Sequence, residues 1–180
     1  SHCARYGNVC EAFVSYQTAV QHLRLILVCA YLGQEFGFLN VLTFDIETVP
    51  DVDSGAEIYG LEGLDADDVG KALMQLRRQE VDTDFLPLHL HRVVAIAFVL
   101  RVESDLHIFS LGDLEADEGE LLSRFFDGLS RYRPTLVTWN GGSFDLPVIN
   151  YRSMLHGVAA PDYWRNTEDF RFNNYRNRYH

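Results

Sequence analysis

The sequence predicts an α/β fold in which helices flank a mixed β-sheet. From residue 41 onward, strand-like apolar segments alternate with segments of helical periodicity, which is the order expected when helices pack on the faces of a sheet. Residues 92–101 are apolar almost throughout, as in a strand that is covered on both faces. The chain has 180 residues, of which 47% are hydrophobic, and this suffices for one domain with a core.

The first elements follow from apolar runs and their boundaries. Residues 41–46 form an apolar, β-prone run and are predicted to be the first strand. Residues 51–65 carry several Gly and Asp residues and are predicted to be a loop. Residues 67–80 are predicted to form a helix, with Asp65 as its N-cap. The apolar strand at residues 92–101 comes next.

The second half of the chain alternates in the same way. Residues 105–111 are predicted to be the hairpin partner of the preceding strand. Residues 118–132 are predicted to form an amphipathic helix because their apolar positions recur with helical spacing. A short strand at residues 135–139 and a helix at residues 145–156, closed by Gly157, complete the series. We expect the first strand to lie centrally, beside the strand at residues 135–139.

The two ends of the chain differ from its middle. Residues 1–40 hold only two of the 26 acidic residues, and we expect them to be a poorly integrated N-terminal extension of a domain that spans residues 41–180. The tail at residues 164–180 mixes arginines with aromatics. Such a mixture is typical of single-strand binding surfaces, and a segment that docks on a further part of the fold is an equal alternative. Residues 113–120 carry five acids and are predicted to be a solvated loop and helix start.

Charge and cysteine content limit the function classes. The formal net charge of −11 argues against a broadly basic surface that binds nucleic acid without specificity. It does not exclude an enzyme in which metal ions neutralise a carboxylate cluster. No apolar run approaches the roughly 20 residues of a membrane helix, so no membrane partner is predicted. All three cysteines lie before residue 30 without zinc-type spacing, which is consistent with a cytoplasmic location.

A pair of carboxylates marks the end of the first strand. Asp45 and Glu47 are one residue apart, and strand periodicity puts both on one face, with Ile46 on the other. Two neighbouring anions repel unless a cation lies between them, and hard divalent cations prefer carboxylate oxygens. A chance Asp-x-Glu in an acidic chain is the alternative for this pair alone.

A second acidic segment closes a later strand and opens a helix. Asn140 precedes the Gly141-Gly142 pair, which lets the backbone turn sharply, and Phe144-Asp145 begins the helix. Taken alone, Asp145 is equally well explained as an N-terminal acid that the helix dipole favours. For Phe144 a core position is the stronger alternative, since a lone aromatic is usually part of the core, and Asn140 is explained as well by a turn.

Together the two segments predict a metal site. If their strands are parallel neighbours, their carboxyl ends lie at the same edge of the sheet, where α/β proteins place their sites. Asp45, Glu47 and Asp145 would then converge. Three carboxylates at one point need cations, and two divalent ions, Mg²⁺ or Mn²⁺, would suit phosphodiester hydrolysis.

These residues also resemble a known family. Asp45-Ile-Glu47-Thr-Val-Pro resembles the first motif of the DEDD 3′-5′ exonucleases, and Asn140-Gly-Gly-Ser-Phe144-Asp145 resembles the second. With residues 86–97 and 171–175, the match is similar to predicted bacterial exonucleases related to the proofreading domain of family-B DNA polymerases. The resemblance covers about residues 41–180. It implies a ribonuclease H-like fold and, as partner, a nucleic acid with a 3′ end, foremost single-stranded DNA.

The resemblance also implies a role for each motif residue. Asp45 would contact both metal ions, Glu47 the ion on the side of the attacking water, and Asp145 the second ion, largely through water. Asn140 and Phe144 would seat the terminal nucleotide. The backbone at Thr48, directly after the carboxylate pair, would contact the 3′ end.

The chain departs from the family in one respect. A third motif, Tyr-x-x-x-Asp, completes the metal site in the family, but the acids after Asp145 are only Asp162, Glu168 and Asp169. None of the three lies four residues after a tyrosine. We therefore expect a domain that lacks the C-terminal part of the fold and has little or no nuclease activity by itself.

Two other function classes compete with this prediction. One is a non-catalytic nucleic-acid-binding or interaction module on an exonuclease-like fold, since fold does not fix function. The other is a phosphatase with an aspartyl nucleophile, which Glu47 and the single lysine, Lys71, disfavour.

Overall fold

The computed structural model describes residues 40–103, 105–112 and 116–164. The predicted N-terminal extension, apart from residue 40, lies outside the described residues. So does the tail that follows Trp164, together with Asp113 and Glu115 of the acidic stretch.

One sheet, five α-helices and a short 3-10 helix (Leu88–Leu90) make up the regular structure of the described residues. The strands are β1 (Val41–Pro50), β2 (His91–Val102), β3 (Asp105–Leu111) and β4 (Thr135–Val137). The helices are α1 (Val52–Tyr59), α2 (Ala66–Val81), α3 (Glu118–Tyr132), α4 (Asp145–Leu155) and α5 (Pro161–Trp164). Among them, none is both long enough and apolar enough to pass through a membrane. The architecture confirms the predicted α/β class and is consistent with a ribonuclease H-like fold.

The sheet has the strand order β3-β2-β1-β4. β1 lies between β2, to which it is antiparallel, and β4, to which it is parallel. This confirms the central place predicted for the first strand and its pairing with the strand after α3. β2 is buried continuously from Ala95 to Arg101, so both of its faces are covered, as its apolar sequence predicts.

The main core joins β1 and β2 to helices α3 and α4. Phe44 of β1 is fully buried, and its ring lies 5.2 Å from that of Phe125 in α3. Val148 and Ile149 of α4 belong to the same cluster. A smaller, separate core holds α1 and α2 together around Val52, Val69, Leu73, Leu86 and Leu90. The packing of α3 and α4 on the sheet fixes the position of the first turn of α4, which carries Asp145.

The loop predicted for residues 51–65 is wrong in part, because residues 52–59 form helix α1. Asp51 caps this helix by accepting a hydrogen bond from the amide of Ser54 at 3.1 Å. A Cβ at Gly55 would lie 2.4 Å from Leu73 Cδ1, so glycine allows α1 to pack closely on α2. This contact between helices stabilises a short segment whose local sequence favours a turn.

Of the other elements, β1 differs most from its prediction, because it runs to Pro50 instead of ending at residue 46, so Asp45 and Glu47 lie inside the strand. The rest lie close to their predicted bounds. The helix predicted for residues 67–80 is confirmed, and Asp65 caps it by accepting from the amide of Asp68 at 2.9 Å. β3 and α3 have the bounds that the sequence predicts. β4 ends at Val137 rather than at residue 139, and α4 ends at Leu155, one residue earlier than predicted.

Candidate active site

The candidate site lies where β1 continues past the end of β4. β4 pairs with β1 only as far as Thr43, opposite Val137. The part of β1 that carries Asp45 and Glu47 therefore extends beyond its parallel neighbour. After β4 the chain passes through a turn and enters α4 at Asp145. The first turn of α4 thus lies past the carboxyl end of β4, beside the part of β1 that carries Asp45, and α/β sheets place their sites at this edge.

The carboxyl groups of Asp45 and Asp145 contact each other. Asp145 is 1% exposed. Burial raises the pKa of Asp145 to about 7, and the charge of Asp45 and a side-chain hydrogen bond with Asp45 contribute to this rise. A hydrogen bond between two carboxyl groups requires a proton on one of them. Below about pH 7 the Asp145 carboxyl group therefore tends to keep its proton, and the pair then carries one negative charge instead of two.

The pair has features that fit a bound cation. Asp145 Oδ1 is buried and has no hydrogen-bond partner within the described structure, although buried carboxylate oxygens are normally paired. A divalent cation would satisfy this oxygen and relieve the repulsion from Asp45, and carboxylate oxygens are the ligands that Mg²⁺ and Mn²⁺ prefer. Asp45 and Asp145 therefore fit part of a metal site.

Glu47 follows Asp45 by two residues on β1, so strand alternation puts both on the same face. The register of β1 against β2 shifts between Glu47 and Thr48, as at a β-bulge, a feature common beside active sites. Across the described ranges, no group of three or more Asp, Glu, His or Cys side chains is arranged to hold an ion. Of the three carboxylates predicted to converge, the structure thus brings Asp45 and Asp145 together. A role of Glu47 in the same site stays a prediction.

The turn before α4 depends on Asn140 and Gly141. Asn140 has a positive φ of 63°, a conformation that Asn tolerates better than most residues. Its carbonyl oxygen accepts hydrogen bonds from the amides of Ser143 at 2.9 Å and Phe144 at 3.1 Å. A Cβ at Gly141 would lie 1.7 Å from Thr138 Cγ2. Glycine is therefore required at position 141 because Thr138 approaches it closely. The residue in the left-handed conformation is Asn140, which is exposed.

The two other predicted substrate-binding residues, Thr48 and Phe144, are linked through His91. The oxygen Oγ1 of Thr48 lies 3.0 Å from His91 Nδ1. The half-buried ring of Phe144 meets the His91 ring edge-on, with centroids 5.1 Å apart. Phe85 contacts both rings, at 4.9 Å from His91 and 5.5 Å from Phe144. His91 and Phe85 were not among the predicted site residues.

A buried ion network anchors α4 behind the site. Arg152 donates hydrogen bonds to both carboxylate oxygens of Glu118, at 2.9 and 2.6 Å, and to Asp51 at 2.5 Å. Glu118 also accepts from the amide of Val93 at 2.7 Å, and its Oε2 lies 2.8 Å from a ring nitrogen of His156. Because Arg152 lies two helical turns after Asp145, the network fixes the helix that carries the buried carboxyl group.

The network corrects the prediction of solvated acids at residues 113–120 for Glu118, whereas Asp117 and Glu120 are exposed as predicted. Glu118 is 2% exposed. Burial acts to raise the pKa of Asp51, but hydrogen bonds from Ser54 and Arg152 hold it below the ordinary value. A sequence signal for Arg152 exists, since it follows Val148 and Ile149 at the spacing of the apolar face of α4. The partners of Arg152, Asp51 and Glu118, are distant in sequence and could not be inferred from local spacing.

Comparisons with known proteins place the second half of the chain in a family. A family model described as "Predicted 3'-5' exonuclease related to the exonuclease domain of PolB" matches residues 83–180, more than half of the chain. This range contains Asn140, Phe144 and Asp145 and begins after Asp45 and Glu47.

Two long proteins match a shorter part of the chain. Over 49 residues the chain is 49% identical to the catalytic subunit of DNA polymerase epsilon from Saccharomyces cerevisiae. It is 43% identical over 49 residues to the protein of the same name from Eremothecium gossypii. Each alignment covers 27% of this chain and 2% of the polymerase. The match thus spans only a small fraction of the length of these relatives.

Proposed function

Because the chain belongs to the family of predicted 3′-5′ exonucleases related to the exonuclease domain of PolB, we propose a specific activity for it. The domain removes nucleotides from the 3′ end of nucleic acid by metal-dependent hydrolysis of phosphodiester bonds. The observation that carries this proposal is the buried contact between Asp45 and Asp145, which lie a hundred residues apart in sequence. A carboxyl pair of this kind is a recognisable half of a two-metal site.

The proposed mechanism assigns the carboxylates to metal binding. Asp45 and Asp145 would hold divalent cations through their oxygens, and Glu47 would add a ligand on the side of the attacking water. When bound, two Mg²⁺ or Mn²⁺ ions lower the pKa of a water molecule and stabilise the leaving 3′ oxygen. Burial of Asp145 excludes water from one side of the pair, which strengthens its electrostatic interactions.

The proposed substrate is a single strand, foremost DNA, that enters with its 3′ end. Phe144 directly precedes Asp145 and would stack on the terminal base, since base–aromatic stacking does not depend on sequence. Thr48, next to the carboxylate pair on β1, would contact the terminal sugar. The exposed side chain of Asn140 would bind the terminal nucleotide from the turn.

We expect turnover by this polypeptide to be weak. Its sequence has no Tyr-x-x-x-Asp after Asp145, so one acidic ligand and a water-orienting tyrosine are not supplied by these residues. A non-catalytic nucleic-acid-binding module is therefore the second candidate function. It is favoured by the finding that the described part of the chain holds no group of three metal-ligating side chains.

Single-turnover cleavage tests the proposal, because excess protein makes weak activity visible. The chain would be incubated with 5′-labelled single-stranded DNA and Mn²⁺, and products would be sized. We expect stepwise shortening from the 3′ end, reduced at least about 100-fold in Asp45→Asn, since loss of even an outer partner of a metal ligand costs about 10–100-fold. Asp67→Asn, the same change in the exposed salt bridge of Asp67 and Lys71, should cleave as the wild type does.

Three results would count against the exonuclease proposal. Internal cuts, or shortening from the 5′ end, would indicate another kind of nuclease. Equal shortening by Asp45→Asn would show that the carboxyl pair is not the site. An absence of shortening with Mn²⁺-dependent binding retained would favour the binding module.

A further inference from the structure

Three aromatic rings form a cluster at the carboxyl end of β1. Phe85, His91 and Phe144 are in mutual contact, with ring centroids between 4.9 and 5.5 Å apart. His91 pairs with Pro50 across the sheet and bonds to Thr48, while Phe144 directly precedes Asp145. The cluster therefore lies on the same end of β1 as the carboxyl pair.

Backbone hydrogen bonds and ring contacts with His91 and Phe144 position Phe85, yet the residue is 52% exposed. Its amide donates to Thr83 Oγ1 at 3.2 Å, and its carbonyl oxygen accepts from Arg77 Nε at 3.2 Å. Burial of an aromatic ring is favourable in proportion to the apolar area removed from water. At Phe85 about half of the residue's surface stays in water, so about half of the free energy that full burial would contribute is not gained. A fixed, exposed ring is preorganised to receive a flat apolar ligand.

Hydrogen bonds of His91 hold the aromatic cluster against β1. Its Nε2 lies 3.1 Å from the carbonyl oxygen of Leu86, which only accepts, so Nε2 carries the proton. In the neutral ring Nδ1 then accepts the hydroxyl proton of Thr48, and burial favours this state because it lowers the pKa of His91. His91 thus ties the residue next to Phe85 to β1, and its ring contacts both phenylalanines.

We propose that Phe85 is a second stacking surface of the site, held by His91, for an unpaired base at the 3′ end of a single strand. The inference rests on the proposed function and deepens it, since it makes the site selective for unpaired over duplex ends. A base is the occupant that fits, because it is flat and its faces are apolar, as the exposed part of Phe85 is. Arg77, whose Nε bonds the carbonyl oxygen of Phe85, is itself paired with Glu80, so the proposal rests on stacking and not on charge.

The test compares the affinities of Phe85 variants for intact strands and for strands in which one base is missing. The full chain, Phe85→Leu and Phe85→Trp would be titrated with 5′-labelled single-stranded DNA in Mn²⁺, with a phosphorothioate at the last linkage against cleavage. Further strands carry an abasic residue at the terminal or the penultimate position. Phe109→Leu is the matched control, because Phe109 is an exposed phenylalanine of edge strand β3.

If Phe85 stacks on a base, Phe85→Leu should bind the intact strand about tenfold more weakly, within the range that stacking contributes. This loss should vanish for the strand that is abasic at the stacked position, as coupling in a double-mutant cycle requires. Phe85→Trp and Phe109→Leu should bind as the wild type does.

Two results would overturn the inference. In the first, Phe85→Leu binds the intact strand as tightly as the wild type. In the second, Phe85→Leu loses the same factor in affinity on the intact strand and on every abasic strand, which would indicate a structural role. Failure of the proposed function would look different. The wild type itself would then fail to bind the intact single strand in Mn²⁺, whatever residue occupies position 85.

Discussion

At the scale of single residues, Asp145 lies in surroundings that disfavour its ordinary charged form. It is buried against Asp45, and burial together with that neighbour raises its pKa to about 7. Sites that bind cations commonly hold carboxylates in such an arrangement, which is unfavourable until the cation is present. The same residue therefore connects stability, pH and metal binding, and each of these can be measured.

The contribution of Asp145 to the stability of the metal-free protein should fall as the pH rises from about 4 to about 7. In this window the folded state keeps a proton on the carboxyl pair that the unfolded chain has released, because the folded pKa of Asp145 lies above its unfolded value. Asp145→Asn mimics the protonated form, so it should stabilise the protein by roughly 1–3 kcal/mol at about pH 8 and by less at about pH 5. Urea denaturation in the presence of a chelator measures both values. An equal gain at the two pH values would contradict the assignment of the raised pKa to Asp145.

At the scale of elements, helix α4 links the site to the rest of the fold. Its first residue is Asp145, and Arg152 two turns later bonds Asp51, which follows β1, and Glu118, which begins α3. The carbonyl oxygen of His89, just before β2, accepts from Arg152 at 3.2 Å. One guanidinium thus joins four elements, and it holds α4 in the orientation that brings Asp145 to Asp45.

Arg152→Met should destabilise the protein by about 3–5 kcal/mol, because it leaves two carboxylates buried without their cation. Lys71→Met is the matched control, since it breaks the exposed salt bridge to Asp67, and no measurable change is expected there. Denaturant titrations of both variants give the comparison. Adding Asp51→Asn and Glu118→Gln to Arg152→Met should restore part of the loss. Equal stabilities of the Arg152 and Lys71 variants would show that the network contributes little.

At the scale of the whole molecule, local pattern and simple topology account for most of what the sequence predicts. α3 has the predicted bounds because its apolar spacing is unambiguous. The meeting of Asp45 and Asp145 was predictable because parallel neighbouring strands end at the same edge of a sheet. Helix α1 was not, because its packing depends on the close approach of Gly55 to Leu73.

The remaining features depend on contacts between segments far apart in sequence. The bond between Arg152 and Glu118 joins helices separated by a strand, and no local spacing indicates it. The aromatic cluster likewise needs the fold to bring Phe85 to Phe144. These are the places where tertiary structure, rather than periodicity, decides which residues meet.

Divalent cations should stabilise the whole protein through the carboxyl pair, although binding is expected to be weak because the third motif is not in the sequence. A ligand that binds only the folded state adds RT ln(1 + [L]/Kd), about 1.4 kcal/mol when the cation is at about ten times Kd. For a domain of this size, that raises Tm by about 3–6 °C. Thermal melts at about pH 8 with Mn²⁺, and after its removal by a chelator, measure the shift. Asp145→Asn should lose it and Asp67→Asn should keep it, whereas a shift that persists in Asp145→Asn would place the cation elsewhere on the acidic surface.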